Sequence, residues 1–263
     1  MLTITFIRHG QSEDNLKAIW AGWKDTPLSE LGREQAEALS HSTALHNPPI
    51  TAIYSSPLLR AYQTALAVQS KISDIPITQD PNLREHYFGI AEGHIWTPEL
   101  PSGMSLREAY AQGMFPIPQG RDGAFPEGES FNDLARRAQV AIRERLLPHL
   151  NVGADQHVAV TSHGHCISEL VAAMLRLDPD MSHSTGEAYQ GLLNTAWTRL
   201  EVSVKENDLP VDPASPPPLK VRITHSNQAD HLRGVPADVT QNPAEEGAPA
   251  EAIAFFGGQT RQN

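Results

Sequence analysis

The stretch Leu2-Thr3-Ile4-Thr5-Phe6-Ile7-Arg8-His9-Gly10-Gln11-Ser12-Glu13-Asp14-Asn15 decides how the rest of the chain reads. Six residues of β type run straight into a cation, an imidazole and a glycine. β-Branched and aromatic side chains suit a pleated, half-buried surface, and glycine frees the backbone to turn away from it. In open α/β sheets, ligands bind outside the carboxyl ends of the strands. Arg8 and His9 fall at such an end, an Arg to hold an anion and a His able to attack it. Alone the tripeptide is a weak signal, because a surface strand end has the same composition. The rest of the chain must supply partners.

Three other segments do so. His157-Val158-Ala159-Val160-Thr161 reads as a strand buried on both faces, and Ser162-His163-Gly164-His165 follows it before a helix over 165–176. Strand, His-Gly and helix thus recur. Thr51-Ala52-Ile53-Tyr54 is a further short strand, punctuated by Ser55-Ser56-Pro57, with Arg60 in the first turn of a helix over 58–72. A helix N-terminus favours anions and an Arg there adds a bidentate fork. Leu83-Arg84-Glu85 places a carboxyl group in an otherwise cationic set, as a general acid requires.

The remaining pattern supports an α/β sandwich with a mostly parallel sheet. Residues 12–20 read as a helix capped by Ser12, and Ser29 to His46 as a second, with Ala36, Leu39 and Thr43 on one face. Leu59, Tyr62, Ala65 and Leu66 form the stripe of the 58–72 helix. Ile75-Pro76-Ile77-Thr78 is an edge strand because of its proline. Residues 81–128 are rich in Gly and Pro, hold at most a short helix near 104–112, and read as a lid over the strand ends. A helix spans 129–147, and strands span 194–204 and 219–224. The Pro-rich connector at 205–219 is expected to be an exposed loop. Residues 235–263 read as a disordered acidic tail, with Ile253-Ala254-Phe255-Phe256 as an apolar island that could meet the body or a protein partner.

Composition excludes other classes. The 263 residues carry a formal net charge of −11, against a surface that neutralises nucleic-acid phosphates. No run approaches the ~20 apolar residues of a membrane span, and the N-terminus lacks a signal-peptide pattern. One cysteine, Cys166, precludes an internal disulfide and suits a reducing compartment. A cytoplasmic location is expected, with the nucleus open.

Taken together, these residues resemble the histidine phosphatase, or phosphoglycerate mutase-like, superfamily over about residues 1–234. The match is carried by Arg8-His9-Gly10 with Gln11, Ser12, Glu13 and Asn15; Gly22-Trp23 with Pro27-Leu28-Ser29 and Gly32; Ser55-Ser56-Pro57 with Arg60-Ala61 and Gln63-Thr64; Leu83, Glu85 and Gly89; Gly128-Glu129-Ser130; Ser162-His163-Gly164; and Asn227 before His231-Leu232. The resemblance implies a three-layer α/β/α sandwich with an inserted lid. It also implies a phosphohistidine on His9, with Glu85 as proton donor. Arg8, Arg60 and His163 would surround the phosphoryl group, with Asn15, Gly22 and Gly164 beside the phosphate, and no cofactor or metal. Two Arg and an imidazolium would stabilise the charge spread over a phosphoryl group in transfer. The substrate would be a phosphorylated small molecule or a phosphopeptide.

Within that resemblance the chain sides with phosphatases. The family's mutases carry a tyrosine, a lysine and two adjacent arginines after the Glu segment; here Phe88 and Trp96 stand at the first two places, and 97–128 holds only Arg107 and Arg121. Ala21 replaces the Ser or Thr that often precedes Gly22, against tight binding of a second phosphate. Three alternatives remain open: phosphoryl transfer of the mutase type, a metal hydrolase built on His163-Gly164-His165 with His9 or His86, and an interaction module that keeps the fold. Trp20, Trp23 and Trp96 are expected near the entrance, and Cys166 beside the site, half-buried.

Overall fold

The computed structural model describes residues 1–17, 19–72, 74–97, 100–205 and 210–235. Its strands are β1 (Leu2–Arg8), β2 (Ala52–Ser55), β3 (Ile77–Gln79), β4 (Trp96–Thr97), β5 (Phe115–Pro116), β6 (Gln156–Ser162), β7 (Trp197–Val204) and β8 (Leu219–Gln228). Its α-helices are α1 (Glu30–Ser40), α2 (Leu59–Gln69), α3 (Leu106–Ala111), α4 (Phe131–Ala141) and α5 (Gly164–Leu175). Six strands form the central sheet in the order β3-β2-β6-β1-β7-β8. The four from β3 to β1 run parallel, and β7 and β8 add antiparallel.

Strand pleating sorts the core into two halves. Leu2, Ile4 and Phe6 of β1, with Val158 and Val160 of β6, pack beneath α4 and α5. Ile7, Ile53 and Ala159 point the other way, onto Leu39 of α1 and Ala65 and Val68 of α2. The result is the three-layer sandwich. Each such Leu, Ile or Phe, wholly buried, stabilises the fold by about 1.5–3 kcal/mol.

Register sets the function-bearing edge. Arg8 pairs with Ser162, and Ser55 with Thr161. The residues that follow, His9, Ser56 and His163, therefore leave the sheet together at its carboxyl edge.

Several local expectations change. Ser12 and Asn15 form the reciprocal cap of a helix start, at 3.3 Å from Asn15 N–H to Ser12 Oγ and 2.9 Å from Ser12 N–H to Asn15 Oδ1. Residues 13–17 are nevertheless turns, and Ile19 and Trp20 are drawn into bridges with Ile95 and Glu92 of the lid. On α2 the buried face is Arg60, Ala61, Thr64, Ala65 and Val68, and Leu66 is exposed. Thr43 is exposed too, Leu45 taking the core position beyond α1. The 129–147 helix continues past Ala141 as a π-turn over Ile142–Leu146 and a 3₁₀ turn to Asn151. β8 runs four residues past the expected Thr224, to Gln228. The Pro-rich connector is not wholly exposed: Val211 is buried in the core, and its backbone exchanges two hydrogen bonds with the Asn151 amide at 2.9 and 2.7 Å. The apolar island at 253–256 lies outside the described residues.

The lid over 81–128 has its own small core. Trp20, Phe88, Ala91, Trp96, Phe115 and Phe125 pack together, and Trp20 Nε1 donates to the Phe115 carbonyl at 3.2 Å. Trp20 and Trp96 thus build the lid rather than line the entrance. Among the described residues no helix is long and apolar enough to cross a membrane.

Candidate active site

His9 follows the last residue of β1 and is 4% exposed. Its Nδ1 lies 2.6 Å from the Gly10 carbonyl. A carbonyl only accepts, so Nδ1 carries the proton and Nε2 keeps its lone pair. Burial first, then the Arg60 and Arg8 charges, push this imidazole well below its ordinary range, against the opposing pull of the Gly10 carbonyl. At neutral pH it is an uncharged imidazole. The backbone around it is fixed: the His9 carbonyl accepts from Asn194 Nδ2 at 3.0 Å and Thr195 N–H at 3.2 Å, and Gly10 N–H donates to Thr64 Oγ1 at 3.1 Å. Gly10 cannot be replaced freely, since a Cβ there would sit 2.5 Å from the Gly32 carbonyl oxygen.

Arg60 is carried into the pocket by the first turn of α2 and is 2% exposed. Its Nε–H donates to the lone pair of His9 Nε2 at 3.3 Å. Its two Nη atoms donate to the carbonyls of Lys24 and Gly22 at 2.9 and 2.8 Å. Gly22 has φ +47° and its missing Cβ leaves room for Glu92, whose Oε1 would lie 2.0 Å from one. Glu92 in turn accepts the Trp23 N–H at 2.7 Å. α2 has no side-chain cap of its own; Asp25 supplies one from the same loop, accepting Leu59 N–H at 2.6 Å. The 22–27 loop therefore fixes both ends of the Arg60 turn.

His163 leaves β6 opposite His9, with ring centroids 5.1 Å apart. Its Nε2 meets Ser56 Oγ at 2.8 Å, and its buried Nδ1 has no hydrogen-bond partner among the described residues. Burial, then the Arg60 and His9 charges, hold it well below the ordinary imidazole range. It is a neutral imidazole at neutral pH, not the imidazolium expected from sequence. Arg8 Nη1 donates to the Leu192 carbonyl. That loop is pinned by Asn227, whose Oδ1 accepts Leu193 N–H and whose Nδ2 donates to the Gly191 carbonyl, both at 3.0 Å. The late Asn227 motif thus acts by placing Arg8.

Glu85 completes the set. α5 also opens without a side-chain cap, and the Glu85 carboxylate takes that place. Its oxygens accept His165 N–H at 3.3 Å, Cys166 N–H at 3.2 Å and His86 N–H at 2.9 Å. Burial pushes this carboxyl up, but the His165 charge, the His86 N–H and the Arg60 charge outweigh it, and the group is held below the usual carboxylate range. Gly164, the first residue of α5, leaves the space between Arg8 Nε and Glu85 Oε2, each 4.0 Å from where its Cβ would be.

Asn15 spends its Oδ1 on Ser12, 2.9 Å from the N–H and 3.1 Å from the hydroxyl; its contact to phosphate is an expectation from the family pattern. Cys166 is fully buried and its thiol is pushed up to about 12 by burial, so it is no reactive thiolate. His163 and His165 serve different neighbours, Ser56 for one and the His86, Phe88 and Phe131 rings for the other. Among the described residues no three His, Cys, Asp or Glu converge as metal ligands. Trp23 lies between Arg84, 3.4 Å above its ring, and Tyr87, 4.6 Å from it.

Sequence reasoning missed Arg137. From α4 its guanidinium donates to the carbonyls of Asn82 at 2.8 Å, Arg84 at 2.9 Å and Glu85 at 3.1 Å, and to Glu129 at 2.9 and 2.8 Å. It fixes the turn that bears Glu85. The only hint in the sequence was an Arg on the same helix as the Gly128-Glu129-Ser130 motif.

Known proteins resemble this chain in sequence and in fold. Residues 4–209 match the histidine phosphatase superfamily, branch 1. A glucosyl-3-phosphoglycerate phosphatase of Mycolicibacterium vanbaalenii is 33% identical over 200 residues, 75% of this chain and 83% of the relative. A 2,3-bisphosphoglycerate-dependent phosphoglycerate mutase of Gloeobacter violaceus is 30% identical over 185 residues, 68% and 78% of the two chains. The solved structure of a mycobacterial glucosyl-3-phosphoglycerate phosphatase superposes with a TM-score of 0.63 at 29% identity, covering 86% of this chain and 98% of that one.

Proposed function

Because the chain belongs to the histidine phosphatase superfamily, a superfamily of phosphoryl hydrolases and transferases, we propose that it hydrolyses phosphate monoesters through a phosphohistidine on His9. The observation that carries this reading is the His9 tautomer, with Nδ1–H tied to Gly10 and the Nε2 lone pair directed into a pocket that holds Arg60. Nε2 attacks phosphorus, and the bond from phosphorus to the ester oxygen breaks. The leaving alkoxide takes a proton from Glu85. Water then attacks the phosphohistidine, gives its proton to the Glu85 carboxylate, and the P–N bond breaks. Arg8 and Arg60 offset the charge on the phosphoryl oxygens and His163 donates to them.

Glu85 is held ionised by three backbone N–H groups, so the proton it gives must arrive with the substrate. An incoming phosphate charge favours that protonation. Hydrolysis is preferred to the mutase outcome because nothing replaces the paired arginines: Arg121 is committed to Glu169 at 2.8 Å and to Asn132 at 3.2 Å. The named relatives point to phosphate esters of small hydroxy acids as the first substrates to try.

The test is a substrate panel with His9→Ala as control, including an aryl phosphate and 3-phosphoglycerate with and without its bisphosphate, alongside acid-labile phosphoryl trapping. Release of inorganic phosphate with label on His9 is expected. Mutase turnover far above hydrolysis, or activity abolished by EDTA, would overturn the reading.

A further inference from the structure

The chain turns tightly over 193–196, where Ala196 N–H donates to the Leu193 carbonyl at 3.0 Å. The third residue of this turn has φ +59°. Turns with a positive φ at that place take Gly or Asn, and a β-branched residue there is a steric outlier. Here it is Thr195, wholly buried. Such strain persists only where the surroundings hold it, and the Thr195 hydroxyl shows what does. Its Oγ1 lies 2.7 Å from the Asn194 carbonyl and 2.9 Å from Nε2 of His231, on the 3₁₀ turn Asp230–Leu232. A carbonyl has no proton to give, so the hydroxyl donates to Asn194. His231 Nε2–H is then the donor to Oγ1.

What the strained turn holds is the peptide after His9. The His9 carbonyl accepts from Thr195 N–H at 3.2 Å and from Asn194 Nδ2 at 3.0 Å. On the other side of the same peptide, Gly10 N–H donates to Thr64 Oγ1 at 3.1 Å. This peptide is part of the ring closed when His9 Nδ1–H meets the Gly10 carbonyl at 2.6 Å. Its plane therefore governs where the imidazole points, and Nε2 with it. β7 is fixed from Trp197 onward by its pairing with β1. A return of Thr195 to negative φ would thus swing the 194–195 peptide, and both donors, off the His9 carbonyl. Glycine would make this turn without strain; only the threonine brings the hydroxyl that ties it to His231.

We propose that Thr195 and His231 are positioning residues for His9: the His231 hydrogen bond holds Thr195 in its left-handed conformation, and Thr195 with Asn194 sets the peptide that aims His9 Nε2. This rests on His9 being the nucleophile of the proposed reaction. The late Asn227 and His231-Leu232 motif then divides its work, Asn227 placing Arg8 and His231 placing His9.

The experiment combines ¹⁵N NMR of the full chain labelled at histidine with turnover of an alkyl phosphate. In wild type the His231 ring must carry its proton on Nε2; a proton on Nδ1 overturns the proposal. Thr195→Gly removes the hydroxyl and the steric cost together. Its kcat should fall about 10- to 100-fold with KM little changed, and the His9 Nδ1–H resonance should leave its wild-type position. His231→Leu should do the same. Thr195→Ser keeps the hydroxyl and His231→Gln keeps a donor, and each should restore both the rate and the resonance. An unmoved His9 resonance in the Gly and Leu variants overturns the proposal. So does a raised KM with kcat unchanged, which would put the effect on Arg8, or a loss that the Ser and Gln variants share. Should Thr195→Gly and His231→Leu show no cooperative thermal transition, the wild-type His231 tautomer decides. If wild type hydrolyses no phosphate ester, the functional reading fails while the His9 resonance still decides the positioning.

Discussion

His9 and His163 leave neighbouring parallel strands opposite one another in register, each followed by glycine, yet they end in different chemical states. His9 gives its Nδ1 proton to the next carbonyl, 2.6 Å away, and keeps a lone pair on Nε2. His163 meets a serine hydroxyl through Nε2, and its buried Nδ1 is left with no partner among the described residues. The glycines differ as well. A Cβ on Gly10 would meet the Gly32 backbone at 2.5 Å, whereas one on Gly164 would stand 4.0 Å from Arg8 and Glu85. The first glycine is demanded by packing between loops, and the second leaves room at the site. One local pattern therefore yields two differently bonded imidazoles, the first tied down through Nδ1 and the second through Nε2.

The sharpest way to break this comparison is to ask which ring becomes phosphorylated. His9→Ala should lower kcat by about 10,000-fold or more, a loss of ~5 kcal/mol in transition-state stabilisation, and abolish acid-labile labelling. Label found on His163 would reverse the two roles. Next in size is Glu85→Gln. With an alkyl phosphate, whose leaving group needs a proton, kcat should fall about 1,000-fold. With a nitrophenyl phosphate, whose leaving group does not, the fall should be about tenfold or less. Equal losses on both esters would remove Glu85 as the acid.

The sequence carried the strand-end residues because each followed a recognisable strand: Arg8 and His9 after β1, Arg60 after β2, His163 after β6. Local pattern was enough there. It could not carry Arg137, whose partners on the 82–85 turn are 52 to 55 residues away, nor Asp25 as the cap of α2. Carboxylates that cap helices from a distance leave no mark beside the helix they cap. The 12–20 segment failed for a related reason: its cap signal was real, but tertiary pairing of Ile19 and Trp20 with the lid overrode propensity. In the lid, β4 and β5 are two residues each, too short to show a period. Their aromatic core joins Trp20 to Phe125 across a hundred residues of sequence, roughly the reach that local patterning lacks.

Both imidazoles are buried neutral, and that predicts how stability follows pH. In the unfolded chain a histidine takes up its proton near 6.5. In the folded protein His86 and His157 do so only at about 4, and His9 and His163 are shifted the same way. Between these values the unfolded state binds more protons, so stability is complete above pH 6.5 and is lost as pH falls toward 4. For His86 alone the loss is on the order of 3 kcal/mol. Denaturant unfolding from pH 7.5 to 4.5 should show this slope, and His163→Gln should flatten it. A slope unchanged in that variant would mean His163 is charged in the fold, and the contrast with His9 would then be one of charge. The same variant should lower kcat by about 10- to 100-fold, as loss of one donor to the phosphoryl oxygens.

The smallest expected effect bears most directly on what separates the two rings. Ser56 Oγ already accepts the Leu58 N–H at 3.2 Å. Its own proton is then available to His163 Nε2, and with Nε2 accepting it the ring proton sits on Nδ1. That Nδ1–H has no acceptor among the described residues, and a phosphoryl oxygen bound against Arg60 would supply one. Ser56→Ala removes the group that selects this tautomer without touching the ring. Its cost should be that of one neutral hydrogen bond, about 1 kcal/mol or a fivefold fall in kcat, with KM little changed. The ¹⁵N resonances of His163 should move from a protonated Nδ1 toward the Nε2–H form, while those of His9, held by Gly10, should stay in place. If the His163 pattern is the same with and without Ser56, the serine does not set the tautomer. The difference between the two histidines must then arise from burial and the arginine field alone.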